Sequence, residues 1–311
     1  MKEIARWPFV ASLLMAAACW GVGGVMSKRA LAEVQPLTLL VIQLTVSVLF
    51  LWSIVFVQRS HPPNRKEIFQ LGLIGLLNPG LAYTFTLIGL TFTTASVSAL
   101  LWASEPILII GLAAVLLRER LTRSLIMCSL LAISGVILVA GFDGGMDNER
   151  TVLGMLIILM GVGCCALYTV LTRRVMAALD PVMLIALQQT VALIWALAIW
   201  PVEATQTETA VLATSLLSGW GWAVASGIVY YALAFWFFIT GLKNTPASFA
   251  GFFLTLIPIF GLTAAAAILG ERLSITQWVG AGLILVAAAG LLRWYNADAA
   301  AKTTELSAKT A

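Results

Sequence analysis

The sequence predicts an all-α membrane protein of ten transmembrane helices, arranged as two inverted five-helix repeats. Three observations carry that expectation. Of the 311 residues, 61% are hydrophobic and only 10% are charged, whereas a soluble domain carries roughly a quarter charged residues. So little charge does not coat a water-facing surface, and so apolar a chain is not disordered. This excludes a cytosolic enzyme, a secreted disulfide scaffold and a nucleic-acid binder. The second observation is a series of ten apolar runs, and the third is a match between the two halves.

The runs fall at 8–27, 36–57, 67–88, 93–117, 123–142, 152–172, 181–201, 218–241, 246–269 and 275–294. Each is about the 20 residues that a bilayer core requires. Hydrocarbon leaves no water for unpaired backbone groups, and the runs lack the alternation of a barrel, so they are helices. Turn or charge signals bound most of them: Lys28-Arg29, Pro62-Pro63, Arg118 to Arg123, Asp143-Gly144-Gly145, Arg173-Arg174 and Lys243-Asn244. Lys2 and Arg6 resemble the start of a signal peptide. The run from Phe9 to Met26 is longer than a typical signal core, so it reads as a retained span.

Charge placement predicts the orientation. With the N-terminus inside, the inner segments hold Lys2, Arg6, Arg59, Arg65, Lys66, Arg118, Arg120, Arg123, Arg173, Arg174, Lys243, Arg293, Lys302 and Lys309. The outer segments hold only Lys28, Arg29, Arg150 and Arg272. Cytoplasmic loops collect Lys and Arg, so both termini are expected in the cytoplasm of a multi-pass protein in the cell inner membrane. The polar stretch 295–311 reads as a short disordered cytoplasmic tail.

Self-comparison gives the domain organisation. A shift of 145 pairs Lys28-Arg29 with Arg173-Arg174, Pro36 with Pro181, Gln43 with Gln188 and Thr45 with Thr190. A shift of 152 pairs Gly89-Leu90 with Gly241-Leu242, Ala95-Ser96 with Ala247-Ser248, Pro106 with Pro258, and Glu119-Arg120-Leu121 with Glu271-Arg272-Leu273. The repeats are 1–142 and 152–294, with the change of offset in the outer loop 202–217. Five spans per half is an odd number, so the second half crosses in the opposite sense. Such inverted symmetry provides two near-equivalent states facing opposite sides, which is what alternating access in a transporter requires.

The same residues resemble a known family. Cys19-Trp20-Gly21 leads to Lys28 in the first span, and a composite motif occurs twice. One copy runs from Glu105-Pro106-Ile107 through Leu117-Arg118-Glu119-Arg120-Leu121 to Gly135-Val136-Ile137; the other runs from Ile257-Pro258-Ile259 through Leu269-Gly270-Glu271-Arg272-Leu273 to Gly280-Ala281-Gly282. From about 9 to 293 the sequence resembles the drug/metabolite transporter superfamily, specifically the EamA-type ten-helix exporters. Arg118 departs from the glycine common in that family. The resemblance implies export of small metabolites, amino acids or amphiphilic drugs from the cytoplasm.

Glu105 is the sharpest polar signal. Counting from Thr94, it lies about 16 Å into its span, near the bilayer centre. A carboxyl there costs about 2.5–3.5 kcal/mol and is expected to face the interior or a wet cavity. It either binds a substrate amino group or carries a coupling proton; the alternative is a neutral structural acid. Trp102 lies on the same helical face. Trp20, Tyr83, Tyr168, Tyr230, Tyr231 and Trp236 are further aromatics that interfacial belts do not all explain, and some of them are expected to line a substrate cavity. Trp7, Trp52, Trp200, Trp220, Trp278 and Trp294 lie near span ends and fit belts.

Gln43 and Gln188 are repeat mates that either bind substrate or bond across helices. Pro106 and Pro258 are symmetric kink or hinge points within their helices. Asn78-Pro79 interrupts the third span opposite Tyr230-Tyr231 of the repeat. Glu119, Arg120, Glu271 and Arg272 read as structural turns, in which a carboxylate caps the next helix or pairs with an arginine. Small residues in the fifth and tenth spans suit a scaffold or a homodimer contact.

No catalytic residues are assigned. Cys19, Cys128, Cys164 and Cys165 lie inside apolar runs and read as small hydrophobes. The lone His61 sits beside two prolines, so no metal site or catalytic triad is expected, and no cofactor. There is no Walker loop, so ATP does not drive the process directly. The expected partners are a small-molecule substrate and the lipid bilayer. The reading favoured by the sequence is a secondary exporter. A nucleotide-sugar or other phosphorylated-metabolite carrier is the alternative, disfavoured because no Lys or Arg lies mid-span, and an intramembrane enzyme lacks its clustered polar residues.

Overall fold

The computed structural model describes residues 7–59, 65–90, 92, 101–102, 104–119, 121–140, 149–176, 180–204, 216–269 and 274–310. Nearly all of these residues are helical or form turns, and no strand occurs among them. The elements are α1 (Trp7–Ala30), α2 (Pro36–Gln58), α3 (Arg65–Gly75), a wide-wound π segment Leu76–Leu81, α4 (Ala82–Leu90), α5 (Glu105–Leu116), α6 (Arg123–Ala140) and α7 (Glu149–Val175). There follow α8 (Pro181–Ala204), α9 (Leu216–Ser226), a second π segment Gly227–Leu233, α10 (Ala234–Asn244), α11 (Ala247–Phe252), a 3-10 turn Phe253–Leu256, α12 (Ile257–Leu269) and α13 (Ile275–Thr310).

Eight helical stretches are long and apolar enough to cross a membrane, and two shorter apolar helices span Glu105–Leu116 and Arg123–Val139. The protein is therefore a multi-pass membrane protein. Its outward faces are apolar: Phe56, Val115 and Met127 are 85%, 75% and 70% exposed. In water such side chains would be a liability; in lipid they match the solvent. Trp7, Trp52, Trp200, Trp220 and Trp278 are exposed as well.

Local chemistry sets the boundaries. Gln35 is extended and Pro36 opens α2, where its missing N–H removes a donor that would be unsatisfied anyway. Arg59 closes the same helix in the left-handed region, at φ 50°, ψ 39°, with its N–H on the carbonyls of Val55 and Phe56. Within α1–α13, α2 lies along α8, α1 along α10 and α12, α4 along α7, and α6 along α13. One continuous core takes Leu13 and Ala17 of α1, Leu44 and Leu51 of α2, Ile109 of α5, Tyr168 of α7, Ile185 of α8 and Phe235 of α10.

Gly135 of α6 and Gly280 of α13 face each other. A side chain on Gly135 would stand 2.6 Å from the Gly280 carbonyl oxygen, and one on Gly280 would stand 2.5 Å from that of Gly135. These glycines thus serve close packing within the chain. The expectation of a disordered tail is corrected, because α13 continues to Thr310. Alanine, the strongest helix former, recurs along that stretch and lets the helix run on beyond its apolar part.

Candidate functional site

A cavity of about 500 Å³ lies inside the bundle, and both halves of the chain line it. Trp20, Asn78, Tyr83, Trp102, Glu105 and Pro106 come from the first half; Cys165, Tyr168, Tyr230, Phe235 and Pro258 come from the second. Glu105 is 7% exposed and opens α5, with Pro106 behind it. The thiol of Cys165 on α7 faces its carboxyl.

The kink in the third span shapes one wall. Asn78 leaves helical geometry at φ −149°, ψ 125°, ahead of Pro79, inside the π segment Leu76–Leu81. Its peptide bond to Pro79 is cis. The Asn78 side chain donates from Nδ2 to Cys165 Sγ at 3.1 Å. Asn78, Cys165 and Glu105 thus form one polar strip in an otherwise apolar wall.

Aromatic rings make the rest. The Trp102 ring stacks on Tyr83 with centroids 6.3 Å apart, and Tyr83 meets Tyr230 edge-on at 6.0 Å. The Tyr83 hydroxyl donates to that of Tyr230 at 3.1 Å. Trp20 sets its ring edge-on against Phe235 and Phe238, each at 5.2 Å. Tyr168 packs edge-on against Phe235 at 6.2 Å.

Six of the side chains expected to bind substrate therefore share one cavity: Glu105, Trp102, Trp20, Tyr83, Tyr168 and Tyr230. Gln43 and Gln188 do not line it. Gln43 donates from Nε2 to Ser27 Oγ at 2.8 Å and Ser226 Oγ at 2.7 Å. Gln188 accepts from the Tyr168 hydroxyl at 2.9 Å and donates to Thr172 Oγ1 at 3.2 Å. Their amides are taken up across helices, and Gln188 reaches the cavity only through Tyr168. The neighbouring Gln189 accepts from Ser47 Oγ and donates to the Tyr231 carbonyl at 2.9 Å. Tyr231 and Trp236 do not line the cavity; Trp236 stacks on Phe237.

The prolines stand differently from the expectation of kinks inside helices. Pro106 is second in α5 and Pro258 second in α12. At that position proline interrupts no hydrogen bond. A break in each span precedes it: Ser104 in a turn before α5, and the 3-10 turn Phe253–Leu256 before α12. Both prolines line the cavity and Asn78 does too, whereas Pro79 does not.

Glu119 takes a cap role, although not for the next helix. Its carboxylate accepts from the N–H groups of Ala247 at 2.7 Å and Ser248 at 3.0 Å, and from Ser248 Oγ at 2.6 Å. It therefore satisfies the first turn of α11, more than a hundred residues on. Arg120, Glu271 and Arg272 lie outside the described residues, as does His61. Glu203, assigned by sequence to an outer loop, does the same for α2. It accepts from the N–H groups of Leu37 and Thr38 at 2.9 and 2.8 Å.

Two features escaped sequence reasoning. Cys165, read as a small hydrophobe, lines the cavity against Glu105. Lys28, assigned to an outer loop, lies in the last turn of α1 and also lines the cavity. The expectation that no Lys or Arg lies mid-span concerned other positions, and Lys28 borders the cavity from the end of its helix. Its spacing from Gly21, Gly24 and Val25 places all four on one helical face, a signal that was present in the sequence.

The described residues thus form an apolar helical bundle enclosing an aromatic cavity with one buried carboxyl among them, an architecture suited to membrane transport. Comparison with known proteins agrees. The model of the EamA-like transporter family matches twice, over residues 7–141 and 152–293. The chain belongs to the EamA-like transporter family; it is a transporter and not an enzyme.

Similar curated proteins are the uncharacterized transporter YvbV of Bacillus subtilis and an uncharacterized transporter of Archaeoglobus fulgidus. The first is 28% identical, over 92% of this chain and 91% of its own length. The second is 22% identical, over 86% and 92%. A protein of known crystal structure shares the fold with TM-score 0.77 at 19% identity, over 92% of this chain and 96% of its own.

Proposed function

We propose that this transporter is a secondary exporter of small metabolites, such as amino acids, amines or amphiphilic drugs, working by alternating access in the cell inner membrane. The single observation that carries the reading is the cavity whose wall comes from both halves and whose one carboxyl among the described residues is Glu105. Glu105 takes either the amino group of the substrate or a coupling proton. Trp20, Trp102, Tyr83, Tyr168 and Tyr230 offer ring faces to a cationic or amphiphilic cargo. Gln43 and Gln188 act behind the wall as positioning residues.

Ten spans in two inverted repeats, with both termini cytoplasmic, complete the reading. Paired features at the sequence offsets support it. Gln43 bonds to Ser27 as Gln188 bonds to Thr172. The π segments Leu76–Leu81 and Gly227–Leu233 occupy corresponding positions. Pro106 and Pro258 each stand second in a helix behind a break. The breaks at Asn78-Pro79, Pro106 and Pro258 are the hinges, because a helix already interrupted there bends with few bonds to lose.

The test is flux into inverted membrane vesicles with a panel of amino acids and amines, with and without an imposed pH gradient. Saturable uptake of at least one member is expected, and its loss in Glu105→Gln. A panel that goes wholly untransported refutes this reading. Lys28 on the wall favours a second one, a phosphorylated-metabolite carrier. A sugar phosphate in the panel separates the two, since phosphate recognition normally recruits several basic groups.

A further inference from the structure

Three buried side-chain polar atoms have no hydrogen-bond partner among the described residues: Trp20 Nε1, Asn78 Oδ1 and Ser129 Oγ. Trp20 and Asn78 line the cavity; Ser129 does not. Burying a bare acceptor or donor is unfavourable, so buried polar groups in folded proteins are nearly always paired. Two orphans on one cavity mark where a partner from outside the chain belongs.

Asn78 is the more telling of the two. Its side chain is 3% exposed, yet only half of its amide is used. Nδ2 is committed to Cys165 Sγ at 3.1 Å, and the Cys165 thiol faces the Glu105 carboxyl. The Nδ2–H contact with the sulfur sets the direction of the amide. It holds the amide in one orientation and leaves Oδ1 bare. The extended backbone at the kink removes Asn78 from the helical pattern that would otherwise set its direction.

We infer that Asn78 Oδ1 and the Glu105 carboxyl form a two-acceptor seat that selects a primary ammonium head over a quaternary one. The inference rests on the substrate reading above and deepens it. Charge and ring faces alone do not separate the two heads, because a trimethylated nitrogen is equally positive and suits aromatic walls. The amide oxygen does separate them. A primary ammonium brings three N–H donors, enough for both acceptors, whereas methyl groups would leave Oδ1 unpaired. Trp20 Nε1, on α1 and held between Phe235 and Phe238, offers a donor on another wall for an acceptor atom of the same cargo.

The test is equilibrium binding to the purified full chain, by calorimetry, of 2-phenylethylamine and its N,N,N-trimethyl derivative. The wild-type chain should bind the primary amine at least about tenfold tighter, since a site built to pair N–H groups rejects an analogue lacking them. Asn78→Leu should erase the preference by weakening the primary amine alone, and Asn78→Asp, which keeps an acceptor, should retain it. Equal affinity for the two amines in the wild type overturns the inference, as does binding of neither or a preference that survives in Asn78→Leu. The wild-type comparison decides even where a variant fails to fold. A chain that transports another panel member but binds the two amines equally loses this inference and keeps the exporter reading. Selective binding without flux does the reverse.

Discussion

Glu105 concentrates the chemistry of this protein because Glu33, Glu119 and Glu203 each already accept from backbone N–H groups. Glu119 caps α11 and Glu203 caps α2, whereas Glu105 faces a cavity beside a thiol. Exchange for glutamine keeps the shape and removes the charge. Glu105→Gln should therefore lower transport at least about tenfold, in keeping with loss of one charge-assisted contact. Normal vesicle flux from pH 6 to 8 in that variant would remove both roles proposed for it. Gln188 acts one step further back, through the Tyr168 hydroxyl at 2.9 Å. Gln188→Leu and Tyr168→Phe should each raise the KM of transport several-fold, and the double variant should do no more than the worse single one. Additive losses would mean that the two act separately.

Helices approach one another here through missing side chains and borrowed caps. A side chain on Gly21 would stand 2.6 Å from the Gly261 nitrogen and from Phe260 Cβ, so α1 and α12 touch at backbone level beside the cavity. Gly21→Val should force them apart and cost about 1–3 kcal/mol. A fall in the Tm of the detergent-solubilised chain, together with weaker substrate binding, is the expected result; an unchanged Tm would show that the contact yields freely. Removing the Glu119 carboxylate leaves the first N–H groups of α11 unpaired. Glu119→Ala should cost about 0.5–2 kcal/mol and Glu119→Gln less, read by the same thermal unfolding. The cap function was visible in the sequence from the boundary position of Glu119. Its target was not, because α11 comes near only when the two halves fold together.

The bundle as a whole makes a claim about sidedness. With the charge asymmetry as a guide, reporters fused after Leu121 and after Leu273 should fall on opposite sides of the membrane, the first in the cytoplasm. Equal signals from the two fusions would refute the inverted repeat. Composition and run length made the helical membrane class legible, since lipid demands continuous apolar helices and tolerates little else. The third-span break was legible as well, because Asn78-Pro79 does not continue a helix. Span four was read as continuous, whereas the described part restarts at Glu105 behind the turn at Ser104. A proline marks a helix start or a helix kink with the same letter, and only the preceding backbone distinguishes them.

Apolar length, charge placement and the doubled motif are properties of single segments and of their order, so the membrane class and the family could be read along the chain. The cavity could not. Gln43 and Gln188 looked like Glu105 as isolated polar residues in apolar runs, yet they face Ser27, Ser226, Tyr168 and Thr172 instead of the cavity. Lys28 and Cys165 looked peripheral and inert, yet both line it. A helical residue faces whatever its neighbours leave open, and those neighbours are set by packing between segments more than a hundred positions apart. That is why the wall, its bare amide oxygen at Asn78 and its thiol at Cys165 belong to the folded molecule alone.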